Sequence, residues 1–381
     1  MERRDFLATT AALAGLGLAG CLSGTDGDDG GTTEDGNGGG TTTDGDGTVT
    51  GTTAESLEGT LTVATYDSFV DAPSTSPGPW IKEEFERRHP GVSLEWATPE
   101  SGINYYIQRR NAAAGLDADA YVGLKVPELV RIDRETDEPL FEAVDEGALS
   151  NLDAVGDEYT FDPDGRLLPV FTGYASVVYD GTEVEEPETL DALTEPEYEG
   201  EVTVQNAQTD NTGLYFLLWT VKTFGADGYL DYWRDLLDND VTVLQSWGEV
   251  YEAFTGGETS VVTSYSNDRV FAKRYDQDLE KHQVAFPGGN GYTNLSGMGK
   301  FATGENHDLA AAFVDFMLGP DAQGKLAERN VSFPVTDHAT VPDVFEEYAE
   351  EPPDPLYFTY DELRGNVGTW REDWARVVAE K

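Results

Sequence analysis

Residues 58–69 read EGTLTVATYDSF, an apolar run that ends directly in a cluster of polar and aromatic side chains. The run 61–65 has the length and the β-branched content of a buried strand. The same arrangement returns at 202–212, 241–248 and 260–268. Because α/β proteins bind ligands at the carboxyl ends of strands, where helices also present their N-termini, we expect these four loops to converge on one cleft.

Outward from these segments, short apolar runs alternate with segments of helical period. Strands are predicted at 61–65, 92–96, 120–123, 175–179, 202–205, 241–244, 260–264, 284–286 and 297–302. Helices are predicted at 79–88, 103–114, 213–224, 229–237, 248–254 and 309–318. A last helix is expected to begin at a capping box formed by Thr359 and Glu362. The alternation predicts an α/β protein with mostly parallel sheets.

Residues 1–21 have the features of an export signal. Arg3-Arg4-Asp5-Phe6-Leu7 is a twin-arginine motif, and the apolar run 8–20 is too short to span about 30 Å of hydrocarbon. Leu18-Ala19-Gly20-Cys21 resembles a lipobox, in which cleavage before the cysteine frees it for lipidation. Cys21 is the single cysteine of the chain, so it has no partner for an intramolecular disulfide. We expect twin-arginine export and a lipid anchor at Cys21, on the extracellular face of the cell membrane.

Residues 22–57 are expected to form a disordered tether between this anchor and a globular body. The segment consists mainly of Gly, Thr, Asp, Glu, Asn and Ser, which cannot bury enough apolar surface to offset the entropy of ordering. A flexible chain of this length has a root-mean-square reach of about 30–35 Å. The tether therefore keeps the body near the membrane without docking it there.

The charge of the chain limits its partners. The sequence of 381 residues holds 73 acidic and 24 basic residues, a formal net charge of -49. A chain without a basic face does not bind nucleic acid by neutralising phosphates. So strong a negative charge repels itself least at high salt, which indicates a halophilic source in which most carboxylates are solvated surface groups.

Patterns typical of catalysis or metal binding are missing from the sequence. The histidines, at positions 89, 282, 307 and 338, lack the spacing of metal ligands. The chain also has no G-x-S-x-G elbow, no Walker loop and no G-x-G-x-x-G after a strand. We therefore expect no catalytic residue, no metal and no cofactor, and the sequence favours a binding protein while leaving an enzyme open as an alternative.

Several short motifs follow one another in a characteristic order along the chain. They are Leu61-Thr62-Val63, Tyr66-Asp67-Ser68-Phe69, Pro77-Gly78-Pro79, Ala118-Asp119-Ala120-Tyr121-Val122-Gly123-Leu124, Gly173-Tyr174, Val178-Tyr179-Asp180, Thr212-Gly213-Leu214, Leu217-Leu218-Trp219, Ser246-Trp247-Gly248-Glu249-Val250-Tyr251, Ser264-Tyr265-Ser266 and Phe333-Pro334-Val335. In this order they resemble the thiamine-binding proteins of ABC transporters, over about residues 60–380. Tyr-Asp-Ser-Phe together with Ser-Trp-Gly-Glu distinguishes this group from a generic solute-binding protein.

The resemblance implies a type II periplasmic-binding-protein fold, with two α/β lobes that close on a ligand between them. It places 58–171 and 297–381 in lobe 1 and 172–296 in lobe 2. Hinge strands are expected near 169–174 and 286–296.

The resemblance also implies which residues contact the ligand. They are Tyr66, Asp67, Ser101, Gly102, Asp210, Asn211, Trp247, Tyr265, Ser266, Asn267 and Asp268. Thiamine joins a permanently charged thiazolium ring to a flat aminopyrimidine, and the rings of Tyr66, Trp247 and Tyr265 can face such a cation. Asp67 can add Coulomb attraction, whereas Trp219, inside an apolar helix, is assigned to the core.

The function implied is the solute-binding subunit of an ABC importer that takes up thiamine, a phosphate ester of it, or a related cationic heteroaromatic. Its partners are then a permease and an ATPase, its contact with the membrane is the lipid anchor alone, and it is expected to be a monomer. Two alternatives within the same fold are a polyamine-binding and an iron(III)-binding protein. A secreted enzyme or a sensor on the same fold is the alternative from another class.

Overall fold

The computed structural model of the protein describes residues 57–72 and 76–381. These residues belong to one compact unit, Glu55–Lys381. The predicted export signal, the lipobox and nearly all of the tether lie outside the described residues. In the described ranges, no helix is both long enough and apolar enough to cross a lipid bilayer.

Strands and helices alternate along the chain, as the sequence predicts. The strands are β1 (Glu58–Ala64), β2 (Gly91–Ala97), β3 (Ala120–Lys125), β4 (Phe141–Glu142), β5 (Leu168–Phe171), β6 (Tyr174–Tyr179), β7 (Val202–Gln205), β8 (Thr242–Leu244), β9 (Val261–Tyr265), β10 (Gln283–Ala285), β11 (Asn290–Thr293), β12 (Ser296–Phe301) and β13 (Asp354–Leu356). The α-helices are α1 (Asp67–Val70), α2 (Gly78–Arg88), α3 (Ile103–Asn111), α4 (Val126–Glu135), α5 (Asn211–Asp238), α6 (Trp247–Thr255), α7 (Asp268–Arg274), α8 (His307–Leu318), α9 (Pro320–Arg329), α10 (Asp343–Tyr348) and α11 (Tyr360–Ala379).

Two mixed sheets form the centres of two lobes. In the first sheet the strand order is β2-β1-β3-β12-β4, and β5 also pairs with β12. In the second sheet the order is β13-β11-β6-β9-β7-β8, and β10 also pairs with β6. Phe69, Phe85 and Phe313 are fully buried in the core of the first lobe. Trp219, on α5, is 1% exposed in the other main core cluster, which confirms its predicted place.

The chain crosses between the two sheets within both predicted hinge segments. One crossing lies between β5 and β6, and the other lies between β11 and β12. The crossings run side by side, because the backbone N–H of Asn294 donates to the carbonyl oxygen of Gly173 at 2.7 Å. The backbones of Thr172 and Phe333 exchange two further hydrogen bonds, of 2.9 and 2.8 Å, which join a third stretch of chain to the hinge.

The sheets are less parallel than the sequence predicts. The pairs β1 with β2 and β7 with β8 are parallel, but β12 runs antiparallel to β3, and β6 runs antiparallel to β9. Strands β6 and β12 enter their sheets through the hinge, directly from the other lobe. They lack the preceding crossover helix that makes a following strand parallel.

The placement of the whole C-terminal part, 297–381, in lobe 1 is wrong for its last segment. Strand β13 pairs with β11 in the second sheet. Helix α11 packs on α5 of the second lobe as well as on α4 of the first. The reason is burial of its apolar face, since Trp374 lies edge-on to Trp233 of α5 with ring centroids 5.4 Å apart.

Two predicted helix boundaries, the start of α11 and the break at Gly225, are found at the expected residues. The capping box at the start of α11 is formed, with the Thr359 hydroxyl and the Glu362 carboxylate each bonded to the other's backbone. The two helices predicted on either side of Gly225 form the single element α5, within which Gly225 leaves helical geometry at φ 76°. A residue with a side chain rarely adopts this φ, so the glycine permits the break.

Candidate functional site

A cleft of about 670 Å³ lies between the two lobes, and its lining includes the hinge residues Thr172, Gly173 and Asn294. This volume falls in the range of small-molecule sites, about 300–1,000 Å³. Side chains enter it from the carboxyl ends of β1, β3 and β9 and from the first residue of α6. The predicted convergence of strand-end loops on one cleft is therefore observed.

Tyr66 enters the cleft from the residue after β1. Its hydroxyl donates to Oδ1 of Asn330 at 2.8 Å, which holds the ring in place. Gly123 of β3 makes room for this ring, because a Cβ at position 123 would lie 2.7 Å from Cε1 of Tyr66. Gly123 also has a φ of 92°, which favours glycine. Burial raises the pKa of Tyr66 well above its ordinary value of 10, so the ring stays neutral.

Trp247 is the first residue of α6 and is fixed at three points. The Ser246 hydroxyl caps the helix by accepting from the backbone N–H of Glu249. The backbone N–H of Trp247 donates to Oδ2 of Asp210 at 2.9 Å, and its indole Nε1 donates to Oγ of Ser264 at 3.1 Å. The indole nevertheless remains 38% exposed, which leaves a ring face open to the cleft.

Tyr265 ends β9 and supplies the third aromatic side chain. Its hydroxyl accepts a hydrogen bond from Oγ1 of Thr212 at 2.9 Å. Burial, the largest effect, raises the pKa of Tyr265 to about 12. Tyr66, Trp247 and Tyr265, which the sequence analysis expects on one cleft, thus line the same cavity.

Lys125 brings a positive charge to the cleft. Its Nζ donates to the hydroxyl of Ser296 and lies 5.3 Å from the ring centroid of Phe171. Burial lowers the pKa of Lys125 to about 8, and the nearby Glu128 carboxylate opposes this shift. Burial raises the pKa of Glu128 above its ordinary value. The side chain of Lys125 therefore changes charge near physiological pH.

The other predicted ligand contacts fall into three groups. Gly102, Asn211, Asn267 and Asp268 line the cleft with the three aromatic residues. Ser101 and Asp210 line an adjoining cavity of about 320 Å³, which also includes Gly102 and Asn211. Asp67 is exposed in α1 and Ser266 is fully buried, and neither lines the cleft. The contribution of each residue to binding stays a prediction.

Several cleft residues were not predicted from the sequence. They are Lys125, Glu128, Tyr251, Ser264, Asn294 and Asn330. Lys125 carried a usable signal, because it is the single charged residue of β3 and ends an otherwise uncharged, buried strand. Asn330 carried none, because it follows a surface helix and reaches Tyr66 only through the tertiary fold.

Within residues 57–72 and 76–381, no three His, Cys, Asp or Glu side chains are grouped so as to hold a metal ion. The cleft instead presents aromatic rings, amides and hydroxyls, which suit an organic ligand.

Residues 131–357 match the model of the bacterial extracellular solute-binding protein family. The chain belongs to this family. The match covers both hinge crossings and every strand of the second sheet. The protein is therefore an extracytoplasmic solute-binding subunit of an ABC importer, and it acts as a carrier and not as an enzyme.

Similar proteins support this assignment along most of the chain. The chain is 29% identical over 324 residues to the thiamine-binding periplasmic protein of Salmonella typhimurium, covering 84% of this chain and 93% of that protein. A solved periplasmic thiamin binding protein has a TM-score of 0.71 at 28% identity, covering 84% of this chain and 96% of the other. The ferric binding protein from Campylobacter jejuni has a TM-score of 0.66 at 16% identity, covering 83% and 99%, and shares the fold.

Proposed function

We propose that this solute-binding protein captures thiamine, or a phosphate ester of it, in the interlobe cleft and delivers it to a permease and its ATPase. The observation that carries the proposal is the set of three aromatic side chains, Tyr66, Trp247 and Tyr265, on one cleft of suitable volume. The similarity of most of the chain to thiamine-binding periplasmic proteins supports the same ligand.

The chemistry of the cleft suits a flat organic cation. A desolvated aromatic face attracts a cation within about 6 Å by roughly 0.5–2 kcal/mol. Amide groups of Asn211, Asn267 and Asn294 offer both donors and acceptors to the edge of an aminopyrimidine. Both lobes contribute, so a ligand that contacts both of them favours the closed form.

Iron(III) is a weaker candidate for this cleft. It would need phenolate ligands such as Tyr66 and Tyr265 together with carboxylate or imidazole groups, but no three His, Cys, Asp or Glu side chains of the described residues are grouped so as to hold a metal ion. The two tyrosine hydroxyls are also already hydrogen-bonded, to Asn330 and Thr212. A polyamine is the second alternative, because the aromatic rings of the cleft also suit an organic ammonium group.

Intrinsic tryptophan fluorescence tests the ligand directly, because Trp247 lines the cleft. The purified protein is titrated at high salt with thiamine, putrescine and iron(III) citrate in parallel. We expect saturable quenching by thiamine, and none by the other two at the same concentrations. A response to putrescine alone, or to iron alone, would replace thiamine by that ligand.

We further propose that the protein is exported by the twin-arginine route, lipid-anchored at Cys21, monomeric and adapted to high salt. The motifs at Arg3-Arg4 and Cys21 and the net charge of -49 support this proposal. Membrane fractionation of wild type and Cys21→Ala should find the first in the membrane and the second released. The melting temperature should rise with potassium chloride concentration, because salt screens the repulsion among the carboxylates.

A further inference from the structure

Three arginines line the cavity of about 320 Å³ that adjoins the cleft. Arg131 and Arg134 are one turn apart on α4, and Arg371 lies on α11. The cavity and the cleft share Gly102, Glu128 and Asn211 in their linings, so the two spaces are contiguous.

This concentration of positive charge is unexpected in so acidic a chain. Arginines elsewhere, such as Arg88 and Arg166, pair with carboxylates. In the described part of the chain, Arg131 and Arg371 form no ion pair, and Arg134 pairs only with the neighbouring, partly exposed Glu135. Burial lowers the pKa of Arg371 from its ordinary value, and the proximity of Arg131 and Arg134 lowers it further.

Arg131 has an unused donor inside the protein. Its Nε is buried and has no hydrogen-bond partner among the described residues. Leaving such a group unpaired is costly, more so when it is charged. Arg371 is oriented by two hydrogen bonds, from Nε to the carbonyl oxygen of Ala207 at 3.1 Å and from Nη2 to that of Gln208 at 2.8 Å. Its remaining guanidinium donors stay available.

The two carboxylates of the cavity lining are already engaged. Oδ1 of Asp210 accepts from the backbone N–H of Thr212 at 2.7 Å, and its Oδ2 accepts from that of Trp247. Glu128 accepts from the backbone N–H of Lys125 at 2.8 Å. Ile103 and Asn104 of α3 also line the cavity, and the backbone N–H of Asn104 already donates to the carbonyl oxygen of Ser101 at 3.1 Å. Guanidinium groups favour oxyanions, to which they donate charge-assisted hydrogen bonds.

We propose that Arg131, Arg134 and Arg371 form a binding site for a tetrahedral oxyanion of the phosphoryl type. The site draws on α3 and α4 of the first lobe and on the loop before α5 of the second, so an anion bound there bridges the lobes. The phosphoryl group has two potential sources: free inorganic phosphate, or the phosphorylated end of a ligand whose organic part occupies the cleft. The anion site is inferred from the arginines alone, whereas a phosphorylated ligand as the source of the anion rests on the proposed function.

Calorimetric titration of the purified protein distinguishes the sources. Inorganic phosphate and pyrophosphate are titrated without organic ligand, and thiamine and thiamine pyrophosphate are titrated separately, all at one potassium chloride concentration. The variants are Arg131→Gln and Arg134→Gln, each checked for an unchanged melting temperature, so that one serves if the other fails to fold. Arg364→Gln is the matched control, because Arg364 is an exposed arginine of α11 outside the cavity lining.

Loss of one charge-assisted contact should weaken anion binding by about tenfold or more. If Arg131→Gln weakens the binding of inorganic phosphate, the site binds the free anion. If it weakens only the binding of thiamine pyrophosphate, the site binds the phosphorylated tail of the ligand. In both cases the affinity of Arg131→Gln for thiamine should stay within about twofold of the wild-type value. The anion affinity of Arg364→Gln should also stay within about twofold of wild type. The proposal is overturned if no inorganic anion binds and Arg131→Gln leaves the ratio of thiamine pyrophosphate to thiamine affinity unchanged. Phosphate binding without thiamine binding would refute the proposed function and not the anion site.

Discussion

The indole of Trp247 stacks on the phenol ring of Tyr251, with ring centroids 4.6 Å apart and planes inclined by 18°. Tyr251 is held from behind, because its hydroxyl donates to Oδ1 of Asp268 at 2.6 Å. The other oxygen of Asp268 lies 2.8 Å from Nδ1 of His282. The ring that we expect to face the ligand is thus supported by the half-buried Tyr251, which is held in turn by the buried pair Asp268 and His282.

Replacing Trp247 with alanine should weaken thiamine binding about tenfold or more. The change removes both the attraction of the ring for a cation and the apolar area that a ligand would cover. Calorimetry is the appropriate measurement, because the variant also removes the fluorescent reporter. Trp80→Ala is the matched control, since Trp80 packs on the first-lobe core and not on the cleft. Equal loss of affinity in both variants would contradict the assigned role.

The variants Asp268→Asn and Tyr251→Phe test the side chains that support the Trp247 indole, separately from the indole itself. Asp268→Asn alters a buried acceptor of two partners and should lower the free energy of unfolding by about 1–3 kcal/mol. Tyr251→Phe keeps the ring that stacks on Trp247 and should cost about 1 kcal/mol while leaving thiamine affinity within about threefold. Urea unfolding and calorimetry measure the two quantities. An affinity loss in Tyr251→Phe as large as in Trp247→Ala would show that the hydroxyl, and not the stacking, matters.

Thiamine affinity should rise with pH through about 8. Lys125 is protonated below its lowered pKa of about 8 and repels a cation in the same cleft, whereas above that pH it is neutral. Binding of a cation therefore releases the Lys125 proton, which makes affinity increase from pH 7 to 8.5. Lys125→Met should remove this slope, whereas Glu128→Gln should move it to lower pH, because the Glu128 carboxylate holds the pKa of Lys125 up. A slope unchanged in Lys125→Met would assign the titration to another group.

Gly123→Ala should abolish most thiamine binding. The added methyl group would lie 2.7 Å from Cε1 of Tyr66, and alanine is strained at a φ of 92°. The ring of Tyr66 must then move away from its hydrogen bond to Asn330. Gly165→Ala is a suitable control, because Gly165 also has positive φ, at 63°, but no atom within 4 Å of its Cβ position. Both variants should lose stability, but affinity should fall only in Gly123→Ala.

Much of the cleft could be predicted because its residues follow strands. Tyr66, Trp247 and Tyr265 lie next to apolar runs whose length and composition mark them as strands, and parallel strands bring their ends together. Strands β4, β5, β11 and β13 show no strand pattern of their own, because β4 has only two residues and the others contain proline or glycine; β5 and β11 were expected only through the resemblance, as hinge strands. They form through pairing at the hinge or at sheet edges, which is a tertiary effect.

The residues that connect distant parts of the chain could not be predicted. Asn330 orients Tyr66 across 264 positions of sequence, and no local pattern marks either partner. Arg131 and Arg371 likewise meet only because α4 and α11 pack together. The lobe boundary near the C-terminus was wrong for the same reason, since pairing of β13 with β11 depends on the folded second lobe.

The most direct test of the account is mass spectrometry of the small molecules released from the protein after purification at its native salt concentration. Wild type and Trp247→Ala are purified in parallel and denatured, and the released compounds are quantified against protein. We predict that wild type releases thiamine or a phosphate ester of it, and that Trp247→Ala releases at most about a tenth as much. Release of a polyamine or of iron from wild type, with no thiamine compound, would contradict the proposed function.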